Sequence, residues 1–275
     1  REVCTVESFN NSLVDDVPAI AAALKKCGNG ERILLSKGTT YTIRSPLDLS
    51  PCKSCDFQIN GLVKISHDWD YWEKQTAVFK VPNMTAAIIR SDGNTGIIDA
   101  QSLGLADPST IAPARIPKLF SVSDKSYQIH VRDLKIKNVP GTAFYVHSDS
   151  TAVRFYGIEF ENAAATGFLV DQAQHVYLWN NTIRASGTCV AVLPNSTNIQ
   201  IEESTCITMG PSASSFGIEL RLLAGTGLGW IRNVFVKKIK AVGGMNVIAF
   251  SAGWDGGGPH TIEITNATFT DVTIE

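Results

Sequence analysis

Short apolar runs separated by Asn, Gly, Ser and Asp recur at a nearly constant interval along most of the chain after about residue 56. Four of them begin at Ile129, Val153, Val176 and Ile199, which are 24, 23 and 23 residues apart. Each of these runs is followed at the same spacing by a second and a third apolar run, and Phe144 lies in one of the third runs. One repeat therefore contains three predicted strands and no helix. This pattern is typical of one coil of a parallel β-helix.

The alternation of apolar and polar residues within each run explains why such coils would stack. One coil has a single apolar face and cannot bury it alone. Coils stacked about 4.8 Å apart bury a continuous stripe of Val, Ile, Leu and Phe. A β-propeller is the rival architecture, but its blades run about 40–50 residues. We therefore predict an all-β fold, a parallel β-helix.

The N-terminal part of the chain contains one helical pattern. Asp15-Asp16-Val17-Pro18 begins it, Lys25-Lys26 lies in its last turn, and Gly28 ends it. We predict a capping helix over about 16–26 that covers the first coil. No domain boundary is visible, so we predict a single domain over 1–275. Its cap region and first coils occupy 1–56, and its stacked coils occupy 57–275.

Composition narrows the function classes. The 275 residues are 44% hydrophobic and 18% charged, which is typical of a globular chain with a core. A net charge of −2 argues against a general nucleic-acid or anionic-membrane binder, and no apolar run is long enough to span a bilayer. The histidines have no spacing typical of metal ligands, and we expect no metal, no cofactor and a monomer.

Cysteines and sequons indicate the compartment. The chain has six cysteines and no zinc-binding pattern: Cys4, Cys27, Cys52, Cys55, Cys189 and Cys206. Cys52 and Cys55 could form a redox pair, but no βαβ context surrounds them, and a structural bridge is favoured. A Cys4–Cys27 bridge would tie the helix to the start of the chain. Five Asn-x-Ser/Thr sequons are candidate glycosylation sites, at Asn10, Asn83, Asn180, Asn195 and Asn266. Together these features predict a secreted, extracellular glycoprotein whose leader has been removed.

Several segments carry a likeness to a known family. They are Leu49-Ser50-Pro51-Cys52-Lys53-Ser54-Cys55-Asp56-Phe57-Gln58, Asp68-Trp69-Asp70-Tyr71-Trp72, Gly96-Ile97-Ile98-Asp99, Arg115-Ile116-Pro117-Lys118-Leu119-Phe120 and Ile136-Lys137-Asn138. The chain resembles glycoside hydrolase family 28, the polygalacturonase and rhamnogalacturonase family, and its secreted fungal members above all. The resemblance implies a right-handed β-helix, an acidic plant polysaccharide such as pectin as ligand, and a bridge between Cys189 and Cys206.

The family's catalytic motifs are degenerate in this sequence. Ala164-Ala165-Thr166-Gly167-Phe168-Leu169 stands where the family has Asn-Thr-Asp-Gly-Phe-Asp, and Gly187-Thr188-Cys189 replaces its Asp-Asp-Cys. Ser215-Phe216-Gly217 stands in the coil of the family's histidine, and Asn246-Val247-Ile248-Ala249-Phe250 stands in its Arg-x-Lys region. Family hydrolysis requires carboxylates on both sides of the glycosidic bond. We therefore expect no catalytic residue of the family type and no polygalacturonase activity.

Alternation indicates which side chains of the third strand line the groove. They are Tyr145, His147, Leu169, Asp171, Ala191, Leu193, Glu219 and Arg221. One interpretation is that Glu219 and Arg221 form a surface pair and His147 is solvated. The other is a new site, with Asp171, Glu219 or His147 as acid or base. Tyr145, Leu169, Arg221 and Trp254 would then bind substrate, although the tryptophans could equally be packing residues. The Asn-rich strand edges are expected to form hydrogen-bonded ladders or to bear glycans.

The leading hypothesis is therefore a secreted relative of the polygalacturonases that no longer hydrolyses the family's substrate. Such a pseudoenzyme would bind a cell-wall polysaccharide or a protein partner, for example as a decoy for a polygalacturonase inhibitor. The alternative is an enzyme whose groove is repurposed for another glycan or a small molecule through Asp171, Glu219 and Arg221. A purely structural role is a third possibility.

Overall fold

A computed structural model describes residues 2–104, 115–161, 165–208, 215–222, 229–252 and 262–275. Its helices are α1 (Val17–Cys27) and α2 (Trp69–Trp72), with one 3₁₀ turn at Gln101–Gly104. The strands in these ranges are β1 (Val3–Val6), β2 (Arg32–Leu35), β3 (Thr40–Ile43), β4 (Leu47–Asp48), β5 (Asp56–Ile59), β6 (Leu62–Ile65), β7 (Ala77–Pro82), β8 (Ile88–Arg90), β9 (Ile97–Asp99), β10 (Lys118–Ser123), β11 (His130–Arg132), β12 (Lys135–Lys137), β13 (Thr142–Val146), β14 (Thr151–Tyr156), β15 (Glu159–Glu161), β16 (Thr166–Val170), β17 (Gln174–Trp179), β18 (Thr182–Ala185), β19 (Thr188–Val192), β20 (Ser196–Glu202), β21 (Thr205–Thr208), β22 (Phe216–Leu222), β23 (Gly229–Val242), β24 (Asn246–Ala252) and β25 (Ile262–Ile274).

These strands form a right-handed parallel β-helix, as the sequence and the family resemblance predict. One sheet stacks β4, β7, β10, β13, β16, β19, β22 and β24 in parallel, and we call it the third-strand sheet. The other two strands of each coil form two parallel columns that the long strands β23 and β25 join into a single sheet. In the described part of the chain no helix is both long and apolar enough to cross a membrane.

The register follows the spacing of the apolar runs. Val153 lies opposite Val176, which lies opposite Ile199, so a 23-residue interval returns the chain to the same position one coil further on. In the third-strand sheet Phe144 lies opposite Phe168. A one-residue slip would turn every apolar side chain outward, which is why the pattern fixes the register.

The interior of the solenoid is a continuous apolar column. Its centre is a stack of four phenylalanines, Phe79, Phe120, Phe144 and Phe168, with successive ring centroids 4.5, 5.1 and 5.2 Å apart. All four side chains are buried. Because stacked coils place equivalent residues about one strand spacing apart, aromatic residues at one position form a ladder inside the tube.

Helix α1 covers the first coil, as predicted, and buries Ile20 and Leu24. Pro18 lies at its start, but neither acidic residue lies in its first turn. Asp16 is the residue before the helix, and its buried carboxylate does not cap the helix. It instead accepts hydrogen bonds from the backbone N–H groups of Phe9 (2.8 Å) and Thr42 (2.6 Å). The negative charge therefore ties the N-terminal segment and β3 to the cap.

Three disulfides join the six cysteines as Cys4–Cys27, Cys52–Cys55 and Cys189–Cys206. The expected bridges are confirmed, and Cys52 and Cys55 form the bridge that the sequence favours. In the described ranges, the group of side chains with metal-like spacing is Cys4, Cys27 and Glu31. Two of its three members are already joined to each other by a disulfide, so their sulfurs are not available as thiolates.

The corner that precedes the first strand of each coil repeats a left-handed residue. The backbone φ angles at this position lie between 54° and 58° for Gln128, Ala152, His175, Asn198 and Asn233. Asn tolerates this region better than most residues because its short polar side chain bonds locally. The side chains of His175, Asn198 and Asn233 stack at this corner as the predicted hydrogen-bonded ladder.

Candidate functional site

The outer face of the third-strand sheet carries the side chains that alternation predicts. Phe144, Val146, Phe168 and Val170 are buried inside the tube. The residues between and after them lie on the outer face: Tyr145, His147, Leu169, Asp171, Ala191, Leu193, Glu219 and Arg221. Ala191, Leu193 and Glu219 are nevertheless buried, so the middle of this face is covered rather than solvated.

One cluster joins β10, β13 and the end of β16. The Tyr145 hydroxyl donates to Asp171 Oδ2 at 2.8 Å, and its ring stacks on that of His147 at a centroid distance of 4.1 Å. The two ring nitrogens of His147 lie 2.9 Å from Ser121 Oγ and 2.8 Å from Ser148 Oγ. The imidazole is therefore held in place on both sides and is not a freely solvated group.

Burial governs the protonation of this cluster. It lowers the pKa of His147 below its usual value, although Asp171 and Asp124 act in the opposite direction. Burial, together with the hydrogen bond to Asp171, raises the pKa of the Tyr145 hydroxyl well above its usual value. The cluster at neutral pH thus contains a neutral imidazole and a phenol that keeps its proton.

A second cluster surrounds Glu219 on β22. Its carboxylate accepts hydrogen bonds from Arg221 at 2.6 Å, from Thr188 at 3.1 Å and from Ser251. Burial raises the pKa of Glu219, but the Arg221 and Ser251 hydrogen bonds outweigh it and leave the pKa below its usual value. Glu219 and Arg221 do pair, but the interpretation as a surface pair is wrong for Glu219, whose side chain is only 4% exposed.

The two carboxylates lie apart on the sheet. Leu169 lies opposite Ala191, which lies opposite Glu219, so two strand spacings separate Glu219 from β16. Asp171 lies two residues beyond Leu169. With strands about 4.8 Å apart and a rise of about 3.3 Å per residue, the two Cα atoms are about 12 Å apart. Each carboxylate is bound to a partner of its own, Asp171 to Tyr145 and Glu219 to Arg221.

Apolar or small residues occupy strand positions on both sides of the Glu219 cluster. Thr166 begins β16, and a Cβ on Gly167 would lie 2.6 Å from the Cys189 carbonyl oxygen, so only glycine fits there. On β24, Ala249 lies opposite Glu219, and Phe250 is 58% exposed. Ala164 and Trp254 lie outside the described residues.

Towards the N-terminal coils, the same face opens into a cleft of about 680 Å³. We call it the basic cleft, and its lining includes Lys80, Arg115, Lys118, Ser121, Tyr145 and His147. Lys74 also lines it, whereas the acidic lining residues are Glu73, which pairs with Arg115, and Asp124. Lys118 has no ion-pair partner in the described part of the chain, and its burial lowers its pKa. The cleft therefore carries a surplus of positive charge.

Sequence reasoning placed Tyr145 and His147 on this face but missed the lysines beside them. Lys118 and Ser121 are on β10, and Lys80 is on β7. Phe120-Ser121-Val122-Ser123 alternates, but Leu119 and Phe120 are both buried, so alternation does not place Lys118, and this strand lies outside the regular 23-residue series. Arg221, which was expected to bind substrate, lies with Glu219 in the other cluster instead.

The five sequon asparagines all lie at positions with positive φ, as expected for turns. Four of them are exposed (Asn10, Asn83, Asn180 and Asn266), and Asn195 is partly buried. Among the described tryptophans, Trp72 is fully buried and Trp179 is 38% exposed. Trp72 is thus a packing residue, and Trp179 is accessible on the lateral face.

Comparisons with known proteins agree with this architecture. The chain is 29% identical over 285 residues to endo-xylogalacturonan hydrolase A of Aspergillus tubingensis, covering all of this chain and 68% of that protein. The same figures hold for a probable endo-xylogalacturonan hydrolase A of Aspergillus niger.

Solved structures give the same result. The crystal structure of the endo-xylogalacturonan hydrolase from Aspergillus tubingensis superposes with a TM-score of 0.88 at 27% identity, covering 100% of this chain and 74% of that one. A hyperthermoactive exopolygalacturonase from Thermotoga maritima shares the fold, with a TM-score of 0.73 at 12% identity, 99% of this chain and 81% of that one. The model of glycosyl hydrolases family 28 matches residues 27–275. The chain therefore belongs to glycosyl hydrolases family 28.

Proposed function

We propose that this chain is a secreted, non-hydrolytic member of its family that binds an acidic cell-wall polysaccharide in the basic cleft. The hydrogen-bond partners of Asp171 and Glu219 carry the first half of this proposal. Asp171 is bound to Tyr145 and Glu219 to Arg221, on strands two spacings apart. Neither arrangement offers an acid and a base on opposite sides of one glycosidic bond, a contribution worth roughly 10²–10⁴ in rate for each group.

The charge of the cleft supports the second half. Lys74, Lys80 and Lys118 face a single unpaired acidic lining residue, Asp124. The ammonium group of Lys118 is partly buried and has no carboxylate partner in the described residues. An anionic ligand would compensate the cost of removing this group from water, so the cleft favours an anion. The curated relatives act on xylogalacturonan, and a galacturonan is a polyanion. The proposed ligand is therefore a galacturonan-type chain, and secretion is supported by the three disulfides and the fungal relatives.

The alternative of a repurposed enzyme in the same groove has less support. Asp171, Glu219 and Arg221 were its expected machinery, but they divide between the two clusters. Glu219 is buried beneath its own hydrogen-bond donors. A buried carboxylate whose pKa is lowered cannot readily supply a proton as a general acid near neutral pH.

Titration calorimetry with an oligogalacturonate tests the binding proposal. Lys118→Met keeps the bulk of the side chain and removes its charge, so we expect affinity to fall about 5–10-fold with unchanged thermal stability. Lys135→Met is the matched control, because Lys135 is an outward strand lysine on another sheet near Glu159. Equal affinity in the parent and the Lys118 variant would reject the basic cleft as the binding site.

A further inference from the structure

A second hollow runs along the outer face of the joined sheet, on a different face of the solenoid from the basic cleft. It has a volume of about 950 Å³, and its lining includes Tyr127, Arg154, His175, Tyr177, Asn198 and Phe235. A hollow of about 400 Å³ adjoins it and shares Ala152 and Arg154. Arg154 therefore lies where the two meet. We call the pair the lateral groove.

The charge of the lateral groove is one-sided. Neither hollow has an Asp or Glu among its lining residues. Arg154 is exposed and has no ion pair with any acid in the described ranges of the chain. Glu202 and Glu203, which act electrostatically on Tyr177 in the groove, already have partners of their own, since Glu202 accepts from Gln200 and Glu203 accepts from Trp179 and Lys238. The positive charge of Arg154 is thus uncompensated within the groove.

A polarised ladder of hydrogen bonds forms one wall of the groove. Asn266 donates to Asn233 and Asn233 donates to Asn198, each at 2.9 Å. The Asn198 amide lies 3.1 Å from His175 Nε2, and His175 Nδ1 lies 3.5 Å from Thr151 Oγ1. If His175 Nε2 accepts from the Asn198 amide, Nδ1 carries the ring proton and the Thr151 hydroxyl, which lines the groove with Arg154, is available as a donor. Hydrogen bonds in such a chain strengthen one another, so its last donor favours an acceptor with negative charge.

Aromatic side chains form the floor of the groove. Tyr177 lies opposite Gln200, which lies opposite Phe235, so two partly buried rings are separated by two strand spacings, about 10 Å. Tyr127 is 43% exposed at the other end. Rings presented at intervals along a groove with amide and hydroxyl donors suit a chain of sugar rings, which offers both apolar faces and hydroxyl groups.

We propose that the lateral groove is a second glycan-binding site, which takes an acidic oligosaccharide with a sugar carboxylate on Arg154. The sugar rings lie over Tyr177 and Phe235, and the Asn ladder and Thr151 donate hydrogen bonds to ring oxygens and hydroxyls. This site is distinct from the basic cleft. A long polyuronate could occupy both, which would raise its apparent affinity through effective concentration.

Binding can be measured in the Lys118→Met background, so that the cleft contributes little, and after enzymatic removal of any Asn-linked glycans. In this background we expect an oligogalacturonate to protect strands β14, β17 and β20 from hydrogen exchange. Arg154→Gln should weaken calorimetric binding about 10-fold or more and abolish the protection. A neutral galactan oligosaccharide of the same length should bind at least 10-fold more weakly than the acidic one.

Arg232→Gln is the matched control, because Arg232 is an exposed arginine on the same sheet that pairs with Glu263 at 3.3 Å. It should leave affinity unchanged, and thermal unfolding should show both arginine variants folded. Tyr177→Ser gives an independent second variant with an expected loss of similar size. The proposal is overturned by equal affinity of the Arg154→Gln variant, by equal binding of the neutral oligosaccharide, or by protection that appears only around the basic cleft. The affinity change in the Arg154→Gln variant and the protection of β14, β17 and β20 can be read whether or not the basic cleft binds the oligogalacturonate.

Discussion

The carboxylates that matter most in this protein act as acceptors for fixed neighbours. Asp16 joins two backbone segments, Asp171 holds Tyr145, and Glu219 holds Arg221. Alternation along a strand could predict that Asp171 and Glu219 face outward. It could not predict that Glu219 is buried, because its cover comes from Ser251 and Thr188, which are distant in sequence and adjacent only after the coils stack.

Asp56 gives a residue-scale prediction. Its side chain is 5% exposed and lies 2.8 Å from both Arg32 and Arg90. Burial raises its pKa, but the hydrogen bonds from Arg90 and Arg32 outweigh this and lower the pKa below its usual value. The ionised form therefore stabilises the fold above the unfolded pKa of about 4, and this contribution is lost as pH falls through the folded pKa.

We expect Asp56→Asn to lower the free energy of unfolding by roughly 3 kcal/mol at pH 7, since it leaves Arg90 without its buried partner. The deficit should shrink as the pH falls below about 4. Urea unfolding at several pH values measures it. Glu263→Gln, which removes one partner of an exposed pair, is the control and should change stability by less than about 1 kcal/mol. A deficit that is independent of pH would contradict the assignment.

Among the elements, the regular coils were predictable and the insertions were not. From β14 to β20 each coil takes 23 residues, and the sequence predicts the register correctly. Two earlier coils are longer, because Ile88 lies opposite Asp56 and His130 lies opposite Ile88. The extra residues break the period and carry Lys74 and Arg115, which line the basic cleft. The inserted segments that obscure the 23-residue repeat therefore also supply lining residues of the basic cleft.

The phenylalanine stack gives a prediction at this scale. Phe144→Ala should lower the free energy of unfolding by about 3–5 kcal/mol, because it opens a cavity between Phe120 and Phe168. Phe9→Ala is the matched control and should cost less than about 1 kcal/mol, since Phe9 is 59% exposed. Denaturant titration of both variants measures the difference. Similar decreases in the free energy of unfolding would show that the phenylalanine stack does not stabilise the core.

At the scale of the whole molecule, the fold and the family follow from periodicity and from the quoted segments, whereas the ligand-binding surfaces do not. Periodicity reports what points into the tube, because burial constrains those positions on every coil. The outer faces vary from coil to coil, so the basic cleft leaves no repeating signal, and of the lateral groove the sequence indicates the Asn ladder at Asn198, Asn233 and Asn266 but not Arg154 or the aromatic floor. The solenoid thus presents two candidate surfaces on different faces, the basic cleft and the lateral groove.

The central claim is that the protein binds galacturonan without cleaving it, and one experiment measures both properties in the same sample. The protein is incubated with xylogalacturonan and with polygalacturonate, while chain length is followed by mass spectrometry and retention of the protein on the polymer is measured. The account predicts retention of the protein with no more new chain ends than in buffer. Turnover that Asp171→Asn or Glu219→Gln abolishes would contradict it.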